Sequence, residues 1–171
     1  KGAKNLVMRM LTVDADPASI SPELFERARE SYFRNLHRVN GDQSVMFDGV
    51  IPGLELMKSM GLRLAVVTNK ATEFTLPLLE RTGLAPYFQA VVCGDTLAHA
   101  KPHPAPMLHA CDLLKSTPAR SVTIGDSIND AQSARAAGCS VLAVPYGYNE
   151  GQSVQTLDVD AIVDSIEAAA H

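Results

Sequence analysis

The sequence predicts an α/β protein with a doubly wound, parallel-sheet (Rossmann-like) core preceded by a helical subdomain. Three observations predict it. From residue 53 onward, short apolar runs rich in branched residues alternate with single helical stretches. The runs are apolar throughout, as strands buried on both faces of a parallel sheet are, and such strands connect by right-handed crossovers. Each run then breaks from apolar to polar at one residue, so the strand ends should form one polar rim, where ligands gather in this architecture.

The core elements follow in order. "GLELMKSMG" places Leu54, Leu56, Met57 and Met60 at helical spacing and closes on Gly61, and "LRLAVVT" is the strand after it. "TEFTLPLLERTG" is helical and closed by Gly83, with Pro77 near enough to the first turns to be tolerated. "QAVVCG" is a strand, and "APMLHACDLLKS" is helical by the spacing of Met107, Leu108, Cys111 and Leu114. "SVTIGD" is a strand, "DAQSARAAG" a helix ended by Gly138, and "SVLAVPYG" and "DAIVDS" supply two more strands. The alanines of "SIEAAAH" read as a helical tail.

Ahead of these, "KNLVMRML" and "SPELFERARESYFRNLHRV" are helical. The second has Ser21 as N-cap, Pro22 at the first helical position, and Phe25, Ala28, Tyr32, Leu36 and Val39 on one face. Glycines, a proline and polar residues cluster in "NGDQSVMFDGVIPG", which sets the boundary between residues 1–48 and residues 49–171.

Composition excludes several classes. A net charge of -4 with 15 scattered basic residues gives no footprint for nucleic acid. No apolar run approaches the roughly 20 residues that span a bilayer, so no membrane partner is expected. Three cysteines, Cys93, Cys111 and Cys139, sit in apolar or helical contexts and read as reduced core thiols of a cytoplasmic protein. His99, His103 and His109 are interleaved with prolines that deny them a shared helical face, and read as loop and surface residues.

The rim carries the chemistry. Its four segments read "VVTNK", "VCGDT", "TIGDS" and "VPYGYN". Asp126 and Asp130 flank the passage from strand to helix, where two hard oxygen ligands suit magnesium. The same residues also read structurally, Asp126 as a helix N-cap and Asp130 as a favourable first-turn charge. Thr68 offers a hydroxyl and backbone N–H groups at the end of a strand, an arrangement that binds phosphate. Lys101 lies in "AHAKPHPAP", where Pro102, Pro104 and Pro106 restrict the backbone and fix the direction of its ammonium. Gly94 and Asp95 either contact substrate or form a turn.

With those motifs, "IGDSINDAQSARAAG" and "PYGYNEG" included, the chain from about residue 50 to its end resembles the haloacid dehalogenase superfamily, and within it the phosphoglycolate phosphatases. The resemblance implies a magnesium-dependent phosphatase acting on a small phosphorylated metabolite, 2-phosphoglycolate, through an aspartyl-phosphate. Thr68 and Asn69 are similar to the family's phosphate-binding position, Lys101 to the cation that balances nucleophile and phosphoryl charge, and Asp126 to a magnesium ligand. Asp130 is similar to the residue that steadies Lys101 or a metal-bound water. Residues 1–48 resemble part of the family's helical cap, and residues 49–171 its hydrolase core.

The family also carries an Asp-x-Asp-Gly-Thr motif after its first, central strand, and the sequence has none. "TVDADPAS" has Asp14 and Asp16 at the right spacing, but with Pro17 in place of Gly-Thr it reads as a turn between two cap helices. The expectation is a C-terminal portion of a longer phosphatase whose sheet lacks its first strand. A catalytically inactive phosphate- and magnesium-binding domain, or an inactive fragment, is the alternative.

Overall fold

The structure is a computed structural model that describes every residue except Lys1, Tyr148, Glu150 and Gln152. Two helices open it, α1 (Gly2–Leu11) and α2 (Pro22–Val39). Ser21 caps α2 by accepting from the Leu24 N–H at 3.1 Å, and Pro22 fills the first helical position, where a missing N–H costs nothing. Between the helices, Asp16 accepts from the Ala18 N–H at 2.8 Å and caps a single 3-10 turn (Pro17–Ser19). Asp14 and Asp16 are exposed in this turn, as their sequence context predicts. The far end of α2 rests on the core, with the ring of Phe33 stacked on that of Phe74 at 5.6 Å.

The core alternates as expected: α3 (Val50–Ser59), β1 (Ala65–Val67), α4 (Thr72–Arg81), β2 (Ala90–Val92), α5 (Ala105–Leu113), β3 (Val122–Gly125), α6 (Ile128–Ala137), β4 (Ser140–Ala143) and β5 (Ala161–Ile162). Every strand pairing is parallel. The C-terminal alanines, expected as a helical tail, form one 3-10 turn (Ala168–Ala170) instead. Cys111, Ala131, Ala134, Cys139 and Val141 form a buried cluster between α5, α6 and β4. Burial pushes the Cys139 thiol up to about 11, so it stays protonated at neutral pH and behaves as a small apolar residue.

The strands fall into two sheets, β1-β2 and β3-β4-β5, and no strand of the described residues joins them. Val66 and Val67 of β1 and Ile124 and Gly125 of β3 line one cavity of about 980 Å³, whose apolar lining also includes Leu54, Met57 and Met107. The sequence expects strands buried on both faces. Val92 and Val141, in β2 and β4, meet that expectation at 0% and 1% exposure. All three residues of β1 are only half-buried, and Val122 of β3 is 60% exposed. The shortfall falls on the two strands that face the cavity and on β5, whose two residues are exposed, and not on β2 and β4. Each half-sheet keeps its own helical cover, α5 on β1 and β2 and α6 on β3 and β4. That cover is how both survive without a shared ladder.

Helix α3 packs on the C-terminal turn so closely that a Cβ at Gly53 would collide with the backbone of Ile166 and Glu167. Alanine in mid-helix ordinarily gains about 1 kcal/mol over glycine. Here the neighbour is backbone and cannot swing aside, and overpacking of that kind costs about 1–3 kcal/mol. Gly53→Ala should therefore lower the melting temperature, and a melting temperature equal to or above that of the wild type would show that the C-terminal turn does not pack on α3.

Candidate active site

The ends of β1, β2 and β3 and the loops after them meet at one rim. Thr68 continues the β1-β2 ladder by one bond, its N–H reaching the Val92 carbonyl at 2.9 Å. Its hydroxyl oxygen accepts from the Lys70 N–H at 3.1 Å, which leaves the hydroxyl proton to donate outward. Asn69 turns back toward the loop after β2. Its Nδ2 donates to the Lys101 carbonyl and its Oδ1 accepts from the Lys101 N–H, both at 2.9 Å. Both ends of the Asn69 amide are thus engaged by the Lys101 backbone, and only main chain remains at this position to face an anion.

Lys101 is held as firmly at its other end. The ammonium donates to the Val67 carbonyl at 2.6 Å and to Asp130 Oδ1 at 2.5 Å, with the two side chains 12% and 10% exposed. Asp130 Oδ2 accepts from the Ser127 hydroxyl at 2.6 Å, from the Ser127 N–H at 3.1 Å and from the Asp126 N–H at 3.4 Å. Burial by itself raises the Asp130 pKa, but the Lys101 charge and the converging donors outweigh it and hold the carboxyl below the usual carboxylate range. Ser133 reinforces the same loop by donating to the His103 carbonyl at 2.7 Å.

One structural expectation is corrected here. Ser127, and not Asp126, is the N-cap of α6, and with Asp130 it forms a reciprocal capping box. The Ser-x-x-Asp spacing was the sequence signal for it. The correction releases Asp126 from the helix. Its side chain packs against Gly147 so closely that a Cβ there would collide with it. Asp130 has both oxygens taken, by the Lys101 ammonium and by donors of Ser127 and Asp126. The carboxylate of Asp126 is the hard oxygen type that magnesium takes, and magnesium seldom has a complete protein cage.

The structure brings Lys101, Asp130, Asn69 and the carbonyl next to Thr68 into one hydrogen-bonded unit, with Asp126 joined through its N–H. Gly94 and Asp95 turn out to shape that unit. The Gly94 N–H donates to the Lys70 carbonyl at 2.9 Å, and a Cβ on Gly94 would collide with the Asn69 carbonyl. Asp95 caps α4 from the neighbouring loop, accepting from Thr72 N–H and hydroxyl at 2.9 and 2.6 Å. The thr72 hydroxyl and N–H hold its carboxyl below the usual range. In the motif at residues 146–149, the ring of Tyr146 lies 4.5 Å from that of Phe47 and Asn149 Oδ1 accepts from the Ile128 N–H at 3.2 Å, while Tyr148 falls outside the described residues. His99 and His103 stack on each other at 4.3 Å in the loop, and among the described residues no cluster of three or more His, Cys, Asp or Glu could hold a metal.

Comparison with known proteins gives the family. Residues 5–144 match the haloacid dehalogenase-like hydrolase family, and the chain belongs to it. A phosphoglycolate phosphatase from Thiobacillus denitrificans is 50% identical over 171 residues, covering 99% of this chain and 74% of that protein. The crystal structure of a predicted phosphoglycolate phosphatase from Haemophilus somnus superposes with a TM-score of 0.83 at 29% identity, over 98% of this chain and 80% of that one. That of CbbY from Rhodobacter sphaeroides, in complex with phosphate, does so with a TM-score of 0.74 at 26% identity, over 97% and 74%. Within the family the chain is phosphoglycolate phosphatase-like, a phosphoric monoester hydrolase. Among the described residues no helix is long and apolar enough to cross a membrane.

Asp130→Asn keeps the shape of the capping box but leaves the Lys101 ammonium buried without its counter-charge, a loss of about 3–5 kcal/mol for a pair of this kind. The folded pKa of Asp130 is lowered, so its contribution is complete above the unfolded value of about 4 and fades as pH falls through the folded value. Urea unfolding should therefore show a wide gap between wild type and variant at pH 7 that closes on acidification below pH ~4. A gap that is constant with pH would remove the ion pair from the account.

Proposed function

We propose that the protein is a magnesium-dependent phosphatase that hydrolyses 2-phosphoglycolate or a close small phosphomonoester through an aspartyl-phosphate. The observation that carries this is the buried Lys101–Asp130 pair held at the rim beside Thr68 and Asp126. A buried ammonium anchored on one side only by a carboxylate and a carbonyl is suited to meet a phosphoryl group on the other. The phosphoglycolate phosphatase relatives and the phosphate complex of CbbY support the substrate class.

Each residue takes a role from its contacts. Thr68 donates its hydroxyl proton to a phosphoryl oxygen, and the Asn69 N–H adds a main-chain donor, the Thr68 and Lys70 N–H groups being bound to the Val92 carbonyl and the Thr68 hydroxyl. Lys101 offsets charge on the nucleophile and on the phosphoryl oxygens. Asn69 holds the Lys101 backbone, and Asp130 holds the ammonium. Asp126 would hold magnesium, which when bound would screen the charge of the phosphoryl oxygens. The attacking aspartate is not among these residues. We place it on an extended segment seated in the cavity between β1 and β3, where it would supply the missing ladder partner and end at the rim beside Lys101. Its carboxylate oxygen bonds to phosphorus as the bond from phosphorus to the leaving oxygen breaks. A second carboxyl protonates the leaving oxygen, then takes a proton from the water that hydrolyses the acyl phosphate. Residues 1–48 act as part of the cap over this rim, and residues 49–171 as the hydrolase core.

Phosphate release by the enzyme from a panel of phosphomonoesters tests the reading. Release should need magnesium, stop with a chelator, and be fastest on 2-phosphoglycolate. Asp126→Asn and Lys101→Met should each lower kcat by about 100-fold or more. Undiminished turnover by Asp126→Asn removes the metal role, and preference for hexose phosphates or pyrophosphate removes the substrate.

A further inference from the structure

The second lysine of the rim has an unusual environment. Lys70 stands two residues after Thr68, and its side chain leaves the turn toward the end of α2 while Lys101 points to Val67 and Asp130. Its ammonium donates to one neutral group, Asn40 Oδ1 at 3.0 Å, and among the described residues it forms no ion pair. Two of its three N–H donors are therefore open, in a partly buried setting where desolvation lowers its pKa. Nothing in the folding of this region calls for a cation without a counter-charge. The neighbouring N-terminus of α4 adds to the positive potential, with the exposed carboxylates of Asp95 and of Glu73, which faces His37, set against it.

Asn40 keeps that ammonium in place. It is 8% exposed, at the C-terminal end of α2, and is fastened to α4 at two further points. Its Nδ2 donates to the Phe74 carbonyl at 2.8 Å, and its own carbonyl accepts from Arg81 at 2.8 Å. The Lys70 main chain is pinned as well, by the Gly94 N–H on its carbonyl at 2.9 Å. A flexible side chain with both ends fixed is pre-organised, and little further entropy is lost when an anion binds.

We propose that Lys70 is a specificity-determining residue whose ammonium binds the carboxylate of a substrate with an anionic leaving group, with Asn40 as its positioning residue. The proposal rests on the phosphatase reading above and adds which end of the substrate is read and by what. The phosphoryl group faces Thr68 and Lys101, and the leaving group extends to the side where α2 meets the core. The counter-ion that Lys70 lacks in the protein arrives with the substrate. A phosphomonoester without a carboxylate leaves the ammonium unpaired, and discrimination follows from that difference.

The test compares kcat and KM on 2-phosphoglycolate and on 2-hydroxyethyl phosphate, in which a CH2OH group replaces the carboxylate. Lys70→Met should lower kcat/KM on 2-phosphoglycolate by about 10-fold to 100-fold, the range of one charge-assisted hydrogen bond, mostly through KM. On 2-hydroxyethyl phosphate the change should stay within about threefold. Asn40→Asp retains Lys70 but gives it an internal carboxylate, and should raise KM for 2-phosphoglycolate selectively. Equal losses on both substrates, or no loss on either, overturn the assignment of Lys70, and an unaltered KM in Asn40→Asp overturns that of Asn40. If the wild-type enzyme releases phosphate from neither ester, the phosphatase reading itself falls. If it is active and Lys70→Met keeps the carboxylate preference, the specificity inference alone falls.

Discussion

The ammonium of Lys101 and the carboxylate of Asp130 lie 2.5 Å apart out of reach of most solvent, and removing two charges from water costs several kcal/mol for each unless their partners are well placed. The arrangement around them supplies those partners. Ser127 gives its N–H and its hydroxyl to Asp130, and the Val67 carbonyl takes another of the Lys101 protons. A pair of apolar side chains would be as stable at such a place, so the pair is better understood through what it orients than through what it stabilises. Three strand ends are fixed relative to one another by it. Val67 belongs to β1, Lys101 to the loop after β2, and Asp130 to the helix that follows β3.

The two sheets are therefore linked at the rim by side chains rather than by a ladder. Below the rim, β1 and β3 share only the cavity that they line. Asn69 repeats the pattern with neutral groups, since its amide closes a two-bond ring with the Lys101 backbone. The rim is thus the cross-bonded end of a core whose middle is open.

The periodicity of the sequence was enough for the element order and the parallel pairing, because single helices between wholly apolar runs leave few other topologies. It also singled out Thr68 and Asp126, which stand at breaks from apolar to polar, Asp130 just beyond one of them, and Lys101 through the prolines around it. It did not show how Asn69 is used, since an amide at a strand end binds an anion or a peptide group equally well in sequence terms. The contact depends on a loop 32 residues away. Asp95 was opaque for the same reason, its role being to cap a helix that starts 23 residues earlier. Asp126 reads in sequence as the N-cap of α6, and the local Ser-x-x-Asp spacing that marks Ser127 for that role is the signal passed over. Long-range satisfaction of polar groups is decided by tertiary neighbours, and a linear reading sees only the local options.

The unpaired edges of β1 and β3 have a consequence for the behaviour of the protein in solution. A strand edge presents a row of N–H and C=O groups that will accept another strand in extended conformation, and "AVV" carries no charge, proline or bulge to deter one. Two such edges in one apolar cavity form a receptor for any β-prone segment of suitable length, including one from a second copy of the chain. Wherever the cavity is empty, self-association should grow with concentration, and short unstructured hydrophobic peptides should compete with it. An opening bordered by two such edges thus makes the solubility of the molecule depend on keeping that place filled.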